Sequence, residues 1–421
     1  MIIAWLVSLL GRRLIATLAT LWVLLVSSLV VVSADLPPST WVALTALPHQ
    51  ARSAIFALAV DPSNDRLLLA GNSEGSLLRS SDGGSTWTPV HTGKPQVNTI
   101  AFSPYKAGLV LAGTHSGGLL SIDSGATWTA VAGLEGRSVR AFGFSLTVMA
   151  AGTEKGVYIS QDGSGWSQSG LADRSIDTIA VAAIHVPVKL LVASDAPLAS
   201  GSLPMFQSND GGATWSPMLP PVNGTFIVKL AAGPLPPTGN IRPLLAATNG
   251  GLFSSIDNGL SFMPLSGGDL LPSTDYSQVA FITDHYNRFY AGSDGGGSGQ
   301  GGLWRTSDSG ATFTSLAPPM PSVTALAVSN DESPFLYVAT FRPSDHVAAL
   351  WVYHDTGGTP QGPPVTPTPV VSGARSRPSP SPSSNMFGFL SSPQAPYVGL
   401  GLGALGVILL AAVSHLRGRR R

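Results

Sequence analysis

The chain predicts an all-β fold, a seven-bladed β-propeller of four-stranded blades, and three observations carry that prediction. One turn sequence recurs in six copies at intervals of 39 to 51 residues. Each copy comes after two apolar strand segments of nearly constant pattern. A matching copy of the strand on the far side of the turn stands by itself ahead of the first unit. A period of that length holds about four short strands, which is one propeller blade.

The inner strand of each unit reads "IFALAV" at Ile55, "VNTIAF" at Val97, "VRAFGF" at Val139 and "IDTIAV" at Ile176. "FIVKLA" at Phe226, "YSQVAF" at Tyr276 and "VTALAV" at Val323 complete seven. The next strand ends in a small pair, as in "LLLAG" at Leu67–Gly71, "LVLAG" at Leu109–Gly113 and "VMAAG" at Val148–Gly152. The third strand leads into the repeated turn, "SSDGGSTW" at Ser80–Trp87. Its other copies are "SIDSGATW", "SQDGSGW", "SNDGGATW", "SIDNGLSF" and "TSDSGATF". Their aspartates are Asp82, Asp123, Asp162, Asp210, Asp257 and Asp308, and their ring residues Trp87, Trp128, Trp166, Trp215, Phe262 and Phe313. An Asp carboxylate in a tight turn accepts hydrogen bonds from the N–H groups ahead of it. Glycine supplies the positive φ that hairpin turns need, and the aromatic ring anchors the hairpin by burial. These residues therefore read as structural corners. The seventh unit lacks the turn and the fourth strand, but "STWVALTALP" at Ser39–Pro48 matches the fourth-strand segments of the other units. This N-terminal strand is expected to pair into the last blade, closing a propeller over 39–354 that would otherwise expose two bare edges.

The turn pattern resembles the Asp-box, or bacterial neuraminidase repeat, propellers, and the resemblance covers Ser39 to about His354. That group includes sialidases, sortilin-type receptors, xyloglucanases and photosystem II assembly and stability factors. The resemblance implies that the boxes lie on the rim, away from the ligand face. It does not choose between enzyme and binder, because one fold carries both.

Outside the repeats, composition assigns the remaining segments. Residues 1–34 hold Arg12 and Arg13, a run of nineteen uncharged residues at Leu14–Val32, and "VSA" before Asp35. This is a signal peptide or an uncleaved signal anchor. Residues 355–396, with "TPQGPPVTPTP" and "RPSPSPSS", read as an extended Pro/Ser/Thr-rich stalk. Tyr397–Leu416 is long and apolar enough for a transmembrane helix, and the arginine-rich tail 417–421 places its end in the cytoplasm. The propeller is thereby expected on the extracytoplasmic side of a membrane. The chain has a formal net charge of zero and no cysteine, so neither nucleic-acid binding nor disulfide or thiolate chemistry is expected.

No catalytic constellation, metal site or cofactor is predicted. The four glutamates, Glu74, Glu135, Glu154 and Glu332, form no recognisable pair with an aspartate. "GSGQGG" at Gly297–Gly302 has the glycine spacing of a dinucleotide loop but no helix to receive a phosphate. The candidate ligand-binding residues are cations: Arg52, Lys94, Arg137 and Arg174 precede the first four inner strands, and Arg140 lies just beyond in the third unit. On one face they would form a positive crescent for an anionic partner. The competing reading is solvated loop charge, partly paired with Glu135 and Asp173. The expected function is a membrane-tethered, non-catalytic binding or scaffolding module for a protein or anionic glycan. A sialidase-like or other carbohydrate-active hydrolase, and an assembly-factor-like chaperone for membrane protein complexes, are the alternatives.

Overall fold

A computed structural model of the protein describes residues 36–44, 53–185, 187–194, 205–218, 226–235, 241–271, 274–282, 285–297, 301–342 and 344–358. The leader 1–34, Arg52, the stalk beyond residue 358, the apolar run 397–416 and the tail 417–421 lie outside the described residues. Among those described, no helix is long and apolar enough to cross a membrane.

Seven antiparallel four-stranded sheets form the predicted propeller. The inner strands are Ile55–Asp61, Val97–Phe102, Val139–Phe144, Ile176–Ala183, Ile227–Ala232, Tyr276–Ile282 and Val323–Val328. In blades 1 to 6 the four strands succeed one another outward in chain order. Blade 7 takes its outermost strand, Trp41–Ala43, from the N-terminal side, paired Trp41 to Tyr353 and Ala43 to Trp351. The Trp41 indole N–H donates to Leu316 O of blade 6 at 2.7 Å, and its ring packs on Tyr353 at 4.9 Å between centroids. The closure expected from "STWVALTALP" is therefore present, over a shorter strand.

Second strands are sandwiched between neighbouring blades, which is why they are apolar without alternation: Leu68, Leu69, Val110, Leu111, Leu190 and Leu191 are all fully buried. The terminal glycine of "LLLAG" and "LVLAG" has a steric cause. A Cβ on Gly113 would lie 2.8 Å from both Thr99 Cγ2 and Val139 O, the latter on the next blade's inner strand. The outer strands are short, two residues each at Thr129–Ala130, Ser216–Pro217, Met263–Pro264 and Thr314–Ser315. Short edges, two of them carrying a proline with no N–H to offer, resist pairing with another chain.

The repeated turns hold themselves. In the first, Thr86 N–H and Thr86 O–H donate to the two carboxylate oxygens of Asp82, at 2.9 and 2.6 Å. The Ser80 hydroxyl donates to Asp82 at 2.8 Å and accepts from Gly84 N–H at 2.8 Å. The same bonds recur around Asp123, Asp210, Asp257 and Asp308. Around Asp162 the turn is tighter, and Ser164, two residues on instead of four, supplies both donors. Gly84 and Gly125 sit at φ 86° and 80°, where a side chain would be strained. The ring residues Trp87, Trp166 and Phe313 are buried, while Trp128, Trp215 and Phe262 are partly so. Hydrogen bonds from Thr127, Thr214 and Thr312, hydroxyl first and backbone N–H second, hold the pKa values of Asp123, Asp210 and Asp308 down at about 2.

The ring continues past His354. Asp355 is fully buried and accepts from Arg305 Nη1 at 2.5 Å, from Arg288 Nη2 at 2.8 Å and from the Tyr290 hydroxyl at 2.6 Å. Arg305 also donates to the carbonyls of Gly357 and Gly358. The segment that composition places at the start of the stalk is thus a latch between blades 6 and 7. Desolvation alone would raise the Asp355 carboxyl, but Tyr290 and Arg288 outweigh it and hold it below the usual carboxylate range.

Candidate functional site: the upper mouth of the central channel

Strand direction gives the ring two unlike faces. The upper face carries the segments entering the inner strands and the turns between second and third strands. The lower face carries the turns between first and second strands and all six Asp-bearing turns. Bonds such as Ser124 N–H to Gly108 O and Ser309 N–H to Asn287 O tie the two kinds of lower turn together.

All seven inner strands have a β-bulge after their first residue. A bulge re-aims the extra side chain and raises local twist. The bulged residues are Phe56, Asn98, Arg140, Asp177, Val228, Ser277 and Thr324, and the first six line a cavity of about 310 Å³ with Lys229 and Gln278. Side chains bridge from blade to blade around this mouth. Asn98 Nδ2 donates to Val139 O at 3.0 Å. Arg140 donates to Ser175 Oγ at 2.6 Å and forms a short ion pair with Asp177. Thr178 Oγ1 accepts from Leu230 N–H at 2.8 Å. Lys229 Nζ donates to Gln278 Oε1 at 2.9 Å, Gln278 Nε2 to Thr324 O at 3.1 Å, and Thr324 Oγ1 to Ile55 O at 2.9 Å. Six of the seven seams between inner strands thus carry a polar bridge.

Within this belt the charges do not cancel. Arg140 and Asp177 neutralise each other, whereas Lys229 has no carboxylate at ion-pair distance among the described residues. An ammonium has three donors, and Lys229 gives one to Gln278. Burial among the inner strands lowers its pKa to about 8. One cation with donors to spare, set in a ring of amide and hydroxyl groups, suits a single carboxylate.

Of the sequence-predicted cations, Arg137, Arg140 and Arg174 fall into separate local pairs on this side of the ring. Arg137 lies 3.9 Å from Glu154, and the expected partner Glu135 instead accepts from Gly133 N–H at 2.8 Å. Arg174 lies 3.8 Å from Asp173, as expected, and its guanidinium sits 5.8 Å over the Phe206 ring. Lys94 is exposed in the segment leading to Val97. Arg140, within the third inner strand as its sequence placed it, is that strand's bulged residue and pairs with Asp177. The residue that sequence reasoning missed is Lys229. Its signal lay in "FIVKLA": the third inner-strand position is Ala57, Thr99, Ala141, Thr178, Gln278 and Ala325 in the other blades, small or neutral throughout.

The opposite mouth is of another kind. A cavity of about 380 Å³ there is lined by Val60, Phe102, Phe144, Val181 and Val328, with Arg242 among them. The Arg242 guanidinium is occupied by backbone, donating to Val181 O at 2.8 Å, Ala232 O at 3.3 Å and Gly233 O. Among the described residues, no three His, Asp or Glu side chains gather as a metal site would require.

No family model matches the chain, and no curated protein matches it. Solved structures do resemble it. A structure described as YCF48 bound to D1 peptide aligns at 19% identity with a TM-score of 0.51, covering 76% of this chain and 98% of that one. YCF48 from Cyanidioschyzon merolae aligns at 15% identity with a TM-score of 0.50, covering 75% and 99%. The structure of U3-55K aligns at 13% identity with a TM-score of 0.56, covering 75% and 98%. At these identities the likeness establishes the propeller fold.

Proposed function

We propose that the chain is a non-catalytic binding propeller, tethered to a membrane on its extracytoplasmic side, whose upper mouth receives a carboxylate-bearing segment of a partner protein. The observation that carries this reading is Lys229, a cation without a counter-ion among the described residues, in a belt of hydrogen-bonded polar groups. Glycoside hydrolysis by a carboxylate pair needs two such groups facing each other across a sugar. Asp177 is the carboxylate lining this mouth, and it is engaged by Arg140. A propeller of the same overall shape has been solved with a peptide bound, which supports a segment of polypeptide as the ligand. In this reading Lys94, Arg137 and Arg174 flank the mouth and steer an anionic partner towards it. The six repeated turns are scaffold of the Asp-box type.

The test is an array of acidic and charge-neutral peptides probed with the full chain in detergent. Acidic peptides should be retained, and Lys229→Met should weaken them by at least about tenfold, as for a charge pair sheltered from water. Equal binding of neutral and acidic peptides, or an unchanged Lys229→Met, would overturn the reading. Release of an aryl glycoside that depends on Asp177 would favour the hydrolase instead.

A further inference from the structure

The lower face exposes large apolar side chains that the ring does not need. Ile256 is 78% exposed, Ile122 72%, Met263 66% and Leu260 63%. Blade 5 concentrates them, adding Leu235 and Ile241 from the turn between its first two strands. The repeated turn itself shows the departure. Where the other full-length copies have Ser85, Ala126, Ala213 and Ala311, blade 5 has Leu260, and an isoleucine precedes its aspartate as Ile122 does in blade 2. The carboxylate beside these side chains, Asp257, is engaged by Ser261 and Ser255. The patch therefore presents carbon with its nearest charge already satisfied. Apolar groups gathered on one surface mark a site of contact rather than ordinary scatter.

Both ends of the ring open on this same face. Ser39 N–H donates to His354 O at 2.9 Å, and Asp355 N–H to Pro334 O at 2.9 Å, in the lower turn of blade 7. On one side the apolar run Leu14–Val32 ends four positions before Leu36, at most about 15 Å of extended chain. On the other, the chain proceeds from Gly358 towards the uncharged run Tyr397–Leu416.

We propose that the lower face of blade 5 rests on the lipid bilayer, with Ile256, Leu260 and Met263 inserted at the headgroup–acyl boundary. Side chains of this kind enter that boundary to a depth of about 5–10 Å. The ring then lies with its repeated turns towards the membrane and its upper mouth towards the aqueous side. The proposal rests on the membrane-tethered reading above, but not on the peptide-binding one.

The absence of cysteine makes the test direct. Single variants Ile256→Cys, Leu260→Cys and, on the upper face of the same blade, Phe226→Cys are labelled with an environment-sensitive nitrobenzoxadiazole. The full-length proteins are reconstituted in phosphatidylcholine/phosphatidylglycerol vesicles containing shallow doxyl-labelled lipid. Labels at 256 and 260 should lose roughly half their emission, and the label at 226 almost none, as a boundary depth requires. Protein that floats with the vesicles but shows equal quenching at 256 and 226 would sink the docked orientation and leave the tether standing. Protein that does not float sinks both. An emission shift at 256 without quenching, reversed by dilution, would mean that a protein surface covers the patch, and would also overturn the proposal.

Discussion

The two mouths of the channel are made from opposite ends of the same seven strands, yet they treat charge differently. On the lower side the charges that hold the ring are committed: Arg242 to three backbone carbonyls, Asp355 to two arginines and a tyrosine, the turn aspartates to Ser and Thr donors. At the upper mouth five of the seven bulged side chains are polar, and among the described residues one lysine is left without a counter-ion. Charges whose partners are covalently next door, or buried beside them, hold a fold together. A cation paired with an amide alone is free to hold something else. The lower face therefore bears on stability and the upper mouth on affinity.

The sharpest way to break that division is at the latch. Asp355→Ala leaves Arg288 and Arg305 close together and without their carboxylate. Losing one partner of a buried charge cluster costs about 3–5 kcal/mol. Urea denaturation should show that loss, while peptide affinity at the upper mouth, measured where the variant is still folded, should stay within twofold of the parent, a margin of about 0.4 kcal/mol. An affinity loss as large as the stability loss would mean that the two faces are coupled.

A single repeated turn should matter less. Asp82→Ala removes two short bonds from Thr86 and one from Ser80, in a partly exposed turn. The expected cost is about 1–2 kcal/mol of unfolding free energy, again without effect on binding.

Acid and base should separate the faces in opposite directions. The carboxyls of Asp123, Asp210 and Asp308 are lowered to about 2 in the folded ring and return to the ordinary carboxylate range on unfolding. Their contribution is complete above pH 4 and is lost as pH falls towards 2. Lys229 is lowered to about 8. The folded state binds its proton more weakly than the unfolded chain does, so its contribution to stability rises with pH between about 8 and 10. Binding of an acidic peptide should fall over that same range, as the ammonium disappears. Melting curves and peptide titrations across pH 2–10 check both limbs. Peptide binding that persists unchanged to pH 10 would remove Lys229 from the site.

The sequence showed the scaffold more clearly than the site, for a physical reason. A repeated turn must satisfy the same backbone six times, so Asp82, Asp123 and their counterparts recur in register and announce the blade period. The closure was legible in the same way, since "STW" before the first unit duplicates the end of the first full turn and the start of its fourth strand. The mouth has no such repetition: its seven bulged residues are all different, and six of them line the channel rather than face an equivalent neighbour. Loop cations were easy to pick out, but pairing is set across blades or by turns, which is why Glu154 and not Glu135 faces Arg137. Asp355 looked like the start of a stalk because its two arginines come from another blade, about fifty and sixty-seven positions earlier.

The smallest effect is expected at the rim of the upper mouth, and it tests whether the loop cations and Lys229 do the same work. Lys94 is exposed, and Arg137 already has a carboxylate 3.9 Å away. Exposed charges are screened within about 10 Å at 0.1 M salt. Lys94→Gln and Arg137→Gln should therefore slow association of an acidic peptide by no more than about threefold at low salt, with the difference vanishing by about 0.5 M, and leave dissociation unchanged. Lys229→Met should do the reverse: faster dissociation at every salt concentration, because its ammonium is sheltered by the inner strands. Stopped-flow kinetics at several ionic strengths separate the two. If Lys94→Gln speeds dissociation as much as Lys229→Met, the ligand lies across the loops instead of entering the mouth, and the crescent read from the sequence is the binding surface after all.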